Sequence, residues 1–178
     1  MRSTTIAAVA DVVMSTVDRP KNYVHKSISS LPKTLPLRLM VGSPSYEYLS
    51  RYRDDPRIEI VGVHPPDWER FRDYSVRHRA SWNYWRCLAF GARADTRKKG
   101  LLVLEDDVIP AKGWQRRLLD TIFEIESKYG NEYVLSLYTA YDGLNTFNAQ
   151  GALYTRFPVR VFFGTQAVFF PSATLSAV

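Results

Sequence analysis

The sequence predicts an α/β domain with a mostly parallel sheet and helices on both faces. Three observations predict it. Short runs rich in β-branched and aliphatic residues recur along the chain, at 11–17 (DVVMSTV), 37–43 (LRLMVGS), 57–64 (RIEIVGVH) and 101–108 (LLVLEDDV), and read as strands. Segments with apolar residues every three or four positions separate them, and strands that alternate with helices build parallel sheets covered on both sides. The 178 residues, 46% of them apolar, suffice for one domain with its own core and are too few to require two.

The first strand ends at Asp18-Arg19-Pro20, where Pro20 suits the first turn of a helix. The helix that follows places Tyr23 or Val24, Ser27 or Ile28, and Leu31 at helical spacing. The second strand closes at Gly42, a short polar helix runs through YEYLSRYR, and the third strand stops at Pro65-Pro66. From Asp67, which suits an N-cap, to about Asp95 the pattern predicts one long helix. Trp68, Phe71, Tyr74, His78, Trp82, Trp85, Leu88 or Ala89, and Ala92 share a face expected to turn inward.

After RKKG comes the LLVLEDDV strand. A helix follows over GWQRRLLDTIFEIESKYG, with Trp114, Leu118, Ile122 and Ile125 inward and Gly130 as its C-cap. YVLSLYT reads as another strand, YDGLNTFNAQGA as a loop, and VRVFFGTQAVFFP as a final strand pair bent at Gly164. The chain stops at Val178 in apolar residues without a polar tail, which predicts a domain over 1–178 that lacks its C-terminal part.

Composition narrows the function classes. Cys87 is the only cysteine, which excludes an internal disulfide and a cysteine-based zinc cluster. His25, His64 and His78 show no ligand spacing. The opening residues lack the apolar core of a signal peptide, and no run reaches the roughly 18 apolar residues of a membrane span. A cytoplasmic chain, or one peripheral to a membrane, is therefore expected.

The net charge of +6 is uneven: residues 1–50 carry +3, residues 51–100 carry +5 and residues 101–130 carry −2. Positive charge thus gathers just upstream of Glu105, Asp106 and Asp107, as a shared phosphate-bearing ligand would require. Nucleic acid is the rival partner for a basic, aromatic chain, but no nucleic-acid-binding motif appears and none is expected.

Four apolar residues run directly into those three carboxylates. Alternation along the strand sends Glu105 and Asp107 to one side and Asp106 to the other, at the strand end where α/β sheets bind ligands. Hard oxygens gathered there favour Mg²⁺ or Mn²⁺, which also accept diphosphate oxygens. The plainer reading is a strand that exits into a solvated acidic turn.

The stretch LLVLEDDVIPAKGW resembles the Asp-x-Asp-type motif of GT-A glycosyltransferases, especially those with LEDD, such as N-acetylglucosaminyltransferases I and IV. VVMSTVDRPKNYVHKSISSL is similar to their first strand, Arg-bearing turn and helix, and FFGTQAVFFP to the segment that shapes the acceptor side. The resemblance implies a Rossmann-like GT-A sheet and transfer of a sugar from a nucleotide-sugar donor to a hydroxyl of a glycan or other acceptor. It gives Asp107 to the metal, Asp106 to the donor sugar or a metal-bound water, Glu105 to the ribose, and Arg19 to the nucleotide. Gly164, Thr165 and Gln166 fall on the acceptor side.

An inverting displacement needs one base on the acceptor hydroxyl. In the family that base lies beyond the GTQ segment, which puts it past Val178 and leaves Asp142 as the fallback within this chain. Arg72, Arg79, Arg86 and Arg93 recur every seven residues, and Arg79, Asn83 and Arg86 share a face. One reading turns Arg79 to a phosphate and Asn83 to a base or ribose; the other makes the stripe a solvated helix face. Two alternatives stay open: a metal-dependent nucleotidyl or phosphoryl transferase, and a non-catalytic nucleotide- or nucleic-acid-binding module.

Overall fold

The computed structural model describes residues 4–63, 65–93, 98–137, 154 and 166–176. Six strands form one sheet in the order β3-β2-β1-β4-β6-β5: β1 (Ala10–Thr16), β2 (Leu37–Val41), β3 (Ile58–Val61), β4 (Gly100–Glu105), β5 (Leu135–Ser136) and β6 (Ala167–Pro171). β1 pairs in parallel with β2 and with β4, and β2 in parallel with β3. β6 runs antiparallel to both β4 and β5. The mixed, mostly parallel sheet expected from the sequence is therefore present, with helices on both faces.

The central strands are apolar on both sides because both sides are covered. Val12, Met14, Leu102 and Leu104 enter the larger core with Val24 and Ile28 of α2 (Val24–Ser30) and Leu118 and Ile122 of α5 (Trp114–Tyr129). The short α1 (Ile6–Val9) adds Ile6 and Val9, and Trp114 packs against this core. On the opposite face Val13, Leu101 and Val103 meet Cys87 of α4 (Val76–Arg93) and Leu175 of α6 (Ser172–Leu175). Gly130 caps α5 at φ 78°, a left-handed value that favours glycine, as expected.

The predicted long helix is two helices. α3 (Pro65–Phe71) ends, residues 72–75 turn, and α4 begins afresh. Ser75 is the local cause: its Oγ accepts the backbone N–H of His78 at 3.3 Å, an N-cap contact that starts a new helix. The face of α4 also differs from expectation. Asn83 and Cys87 are the buried residues, while Trp85 is 56% exposed and His78 and Ala92 are exposed. Of the face expected to turn inward, Leu88 packs against the smaller core and Trp82 is half-buried, while His78, Trp85 and Ala92 point outward.

The reason for the difference lies at the strand ends. Asn83 Nδ2 donates toward Ser15 Oγ at 2.9 Å, Thr16 O at 3.3 Å and Met40 O at 2.6 Å. Arg86 donates to Val41 O at 2.8 Å, Gly62 O at 2.6 Å and Asn83 Oδ1 at 3.0 Å. Carbonyls that leave the ladder where β1, β2 and β3 end need donors once buried, and these two side chains supply them. Gly42 makes the approach possible, because a Cβ there would lie 2.8 Å from Asn83 Cβ and 2.9 Å from Val17 Cγ1.

Candidate functional site

The strand order fixes where a ligand can enter. The chain winds from β1 outward to β3, then returns to lay β4 on the other side of β1. In such sheets the crevice lies outside the carboxyl ends of the two strands flanking the reversal. Here those ends are Thr16 to Arg19 and Glu105 to Asp107, in register through Ser15 and Glu105.

The three acids have three different surroundings. Asp106 is 1% exposed. Its Oδ1 forms an ion pair with Arg19 Nη2, and its Oδ2 accepts the Thr16 hydroxyl at 2.7 Å. Ser27 of α2 donates to the Asp106 carbonyl at 2.8 Å, and Tyr48 OH lies 3.2 Å from Thr16 Oγ1. Asp106 thus ties together the tips of β1 and β4 and the middle of α2, a covering helix. Tyr48 is held un-ionised, its phenol pushed up to about 12 chiefly by burial.

Glu105 is half-buried on the α4 side, and its backbone N–H donates to Gln166 O at 2.7 Å. Tyr84 of α4 faces it: burial pushes that phenol up, with Cys87 and Glu105 adding to the effect. Asp107 is exposed at the tip. The alternation expected from the strand is thus reflected in the partners of Glu105 and Asp106.

Unsatisfied polar atoms cluster at this edge. Arg19 Nε, Asn22 Nδ2, Tyr84 OH and Gln166 Oε1 are buried without a hydrogen-bond partner. Buried polar groups are ordinarily paired, so these are the atoms that a bound ligand or ordered water would satisfy. Arg19 and Asn22 follow β1 and offer donors; Gln166, at the start of β6 beside Glu105, offers an acceptor.

The remaining sequence-derived residues fall as follows. Asn83 stands at the right end of the sheet, but its amide is spent on the strand carbonyls and on Arg86, so the structure gives it an anchoring role instead of a ligand contact. Arg79 is half-buried with its guanidinium 5.4 Å from the Trp68 ring of α3. It lies one turn before Asn83, about 6 Å further out from the strand ends. Asp142, Gly164 and Thr165 lie outside the described residues, and so does Val178, past which the family resemblance puts the base. Sequence reasoning did not mark Thr16, Asn22, Ser27, Tyr48 or Tyr84. The position of Thr16 at the end of β1 was its only signal.

Among the described residues no group of three or more His, Cys, Asp or Glu side chains gathers as a metal cage. A divalent ion that takes one or two carboxylates and completes its shell with water and diphosphate oxygens needs no such cage. The donor set suits that mode: Asp107 presents a hard carboxylate to solvent, and Gln166 Oε1 is an oxygen lacking a partner nearby. Asp106 does not suit it, since Arg19 already balances its charge.

No family model and no curated protein matches the sequence. Two solved structures are similar in fold: the galactosyltransferase LgtC in complex with donor and acceptor sugar analogs, and an active-site mutant of LgtC. Each is 15% identical to this chain over 94% of its length, with a TM-score of 0.49. The chain spans 60% and 59% of their lengths. The likeness concerns the path of the chain and does not reach the chemistry. Among the described residues no helix is long and apolar enough to cross a membrane.

Proposed function

We propose that this chain is the nucleotide-binding part of a metal-dependent glycosyltransferase, which passes a sugar from a nucleotide-sugar donor to an acceptor hydroxyl. One observation carries the reading. At the topological switch point, adjacent acids are divided between a buried, charge-balanced Asp106 and a presented Asp107. A solvated acidic turn would leave both in water.

In this reading Asp107 holds Mn²⁺ or Mg²⁺. When bound, the ion neutralises the negative charge that develops on a nucleoside diphosphate leaving group. The other roles belong to the chain itself. Asp106 aligns Arg19 at the mouth, so that its guanidinium, whose Nε lacks a partner, meets an anionic ligand with its geometry already set. Asn22 adds a second donor on the same strand end, Glu105 accepts from a ribose hydroxyl, and Gln166 orients the acceptor side. An inverting displacement, with its base supplied from outside the described residues, completes the proposal. N-acetylglucosaminyltransferase-like donor use is its most specific form.

Electron paramagnetic resonance of Mn²⁺ tests the reading. The aqueous Mn²⁺ signal should fall when protein and a nucleoside diphosphate are both present, and much less with either alone. A signal indifferent to the protein would remove the metal-dependent transferase.

A further inference from the structure

We propose that the outer face of α4 is a docking surface for an anionic lipid bilayer. The proposal does not depend on the transferase reading. α4 turns Asn83 and Cys87 toward the sheet and leaves its other side without a covering element among the described residues. Along that side His78, Ser81, Trp85 and Ala92 are exposed, and Trp82 and Ala89 are half-buried. Its first turn is polar, through His78 and Ser81. From Trp82 to Ala92 it is an apolar line about 16 Å long that no Lys, Arg, Asp or Glu interrupts.

Arginines border the line. Exposed Arg77 lies on one flank and exposed Arg93 on the other, and the 18 residues of α4 hold four arginines and no acid. Beside the helix opens a depression of about 600 Å³, bordered by Arg70, Trp82, Trp85 and Arg93, with Asp67 the one acid among its lining residues. It does not lie over the carboxylates.

A narrow apolar stripe with cationic edges fits a bilayer interface. The ring of Trp85 and the two alanines enter the headgroup boundary while guanidinium groups meet lipid phosphates. Charge decides between occupants. A second copy docked about a two-fold axis would set these arginines against one another. A nucleic acid would satisfy the charge but would leave Ala89 and Ala92, between the arginines, without an apolar partner.

Sedimentation with vesicles tests the assignment, using phosphatidylcholine vesicles with and without phosphatidylglycerol. The chain should bind the anionic vesicles preferentially and less strongly as salt rises. Trp85→Glu, at an exposed position, should weaken binding by roughly tenfold or more. Arg77→Glu and Arg93→Glu should each weaken it about fivefold, with thermal unfolding unchanged in all three. Failure to bind, or equal binding by Trp85→Glu, overturns the proposal. So does a concentration-dependent dimer that Trp85→Glu dissolves, or uptake of oligonucleotides in place of vesicles.

Discussion

The two faces of the sheet hold their helices by different means. On one face α2 and α5 lie on a broad apolar core that includes Leu102, Leu104, Leu118 and Ile122. On the other, the apolar contact is smaller, and α4 is registered by two polar side chains, Asn83 and Arg86, on the carbonyls where strands end. Apolar burial is non-directional, whereas a set of hydrogen bonds to fixed carbonyls defines one position. The polar attachment therefore sets where the first turns of α4, and with them Arg79, stand above the candidate site.

Breaking the apolar side should cost most. Ile122→Ala removes a fully buried side chain from the larger core and should lose about 3–4 kcal/mol in urea unfolding. Asp106→Ala should follow at about 3 kcal/mol, because Arg19 and Thr16 lose their partner. Arg19 is one-third exposed, which holds the loss at the lower end of what breaking a buried pair costs. Asn83→Ala should lose about 2 kcal/mol, leaving the carbonyl of Met40 and the guanidinium of Arg86 underpaired. Equal losses for Asn83→Ala and Cys87→Ala would show that α4 is held by apolar contact after all.

The smallest expected effect is one of pH, on the α2 face. Burial, with Arg51 nearby, pushes the His25 imidazole below its ordinary 6.5, and its Nδ1 lies 3.1 Å from Tyr52 OH. The folded state thus takes up this proton at lower pH than the unfolded state does. His25 adds no penalty while both states are neutral, and stability falls as pH drops below about 6.5. His25→Gln should flatten the melting temperature between about pH 7.5 and about pH 5 relative to the parent chain.

Much of the sheet was legible because apolar, β-branched runs bounded by Pro and Gly leave few alternatives to strands. The LEDD stretch was legible as a candidate site, since nothing in a core strand calls for three acids at its tip. The orientation of α4 was not. Its sequence contains one aromatic line and one line through Asn83 and Cys87, and periodicity ranks the aromatic line as core. Only the strand ends, with their carbonyls in need of donors, reverse that ranking, and no local pattern announces them. The pairing of Arg19 with Asp106 was hidden likewise, being made by two segments 87 positions apart in the chain.

The contrast between neighbours Asp106 and Asp107 repeats that of the two faces, one residue tied into the structure and the next presented to solvent, where the proposed ion would bind. Calorimetric titration of nucleoside diphosphates into the parent chain and Asp107→Asn, with and without Mn²⁺, tests it most directly. Binding should require Mn²⁺ and weaken at least tenfold in Asp107→Asn, whose unfolding free energy should stay within about 0.5 kcal/mol of the parent. Binding that ignores the metal, or that survives Asp107→Asn undiminished, would contradict the account.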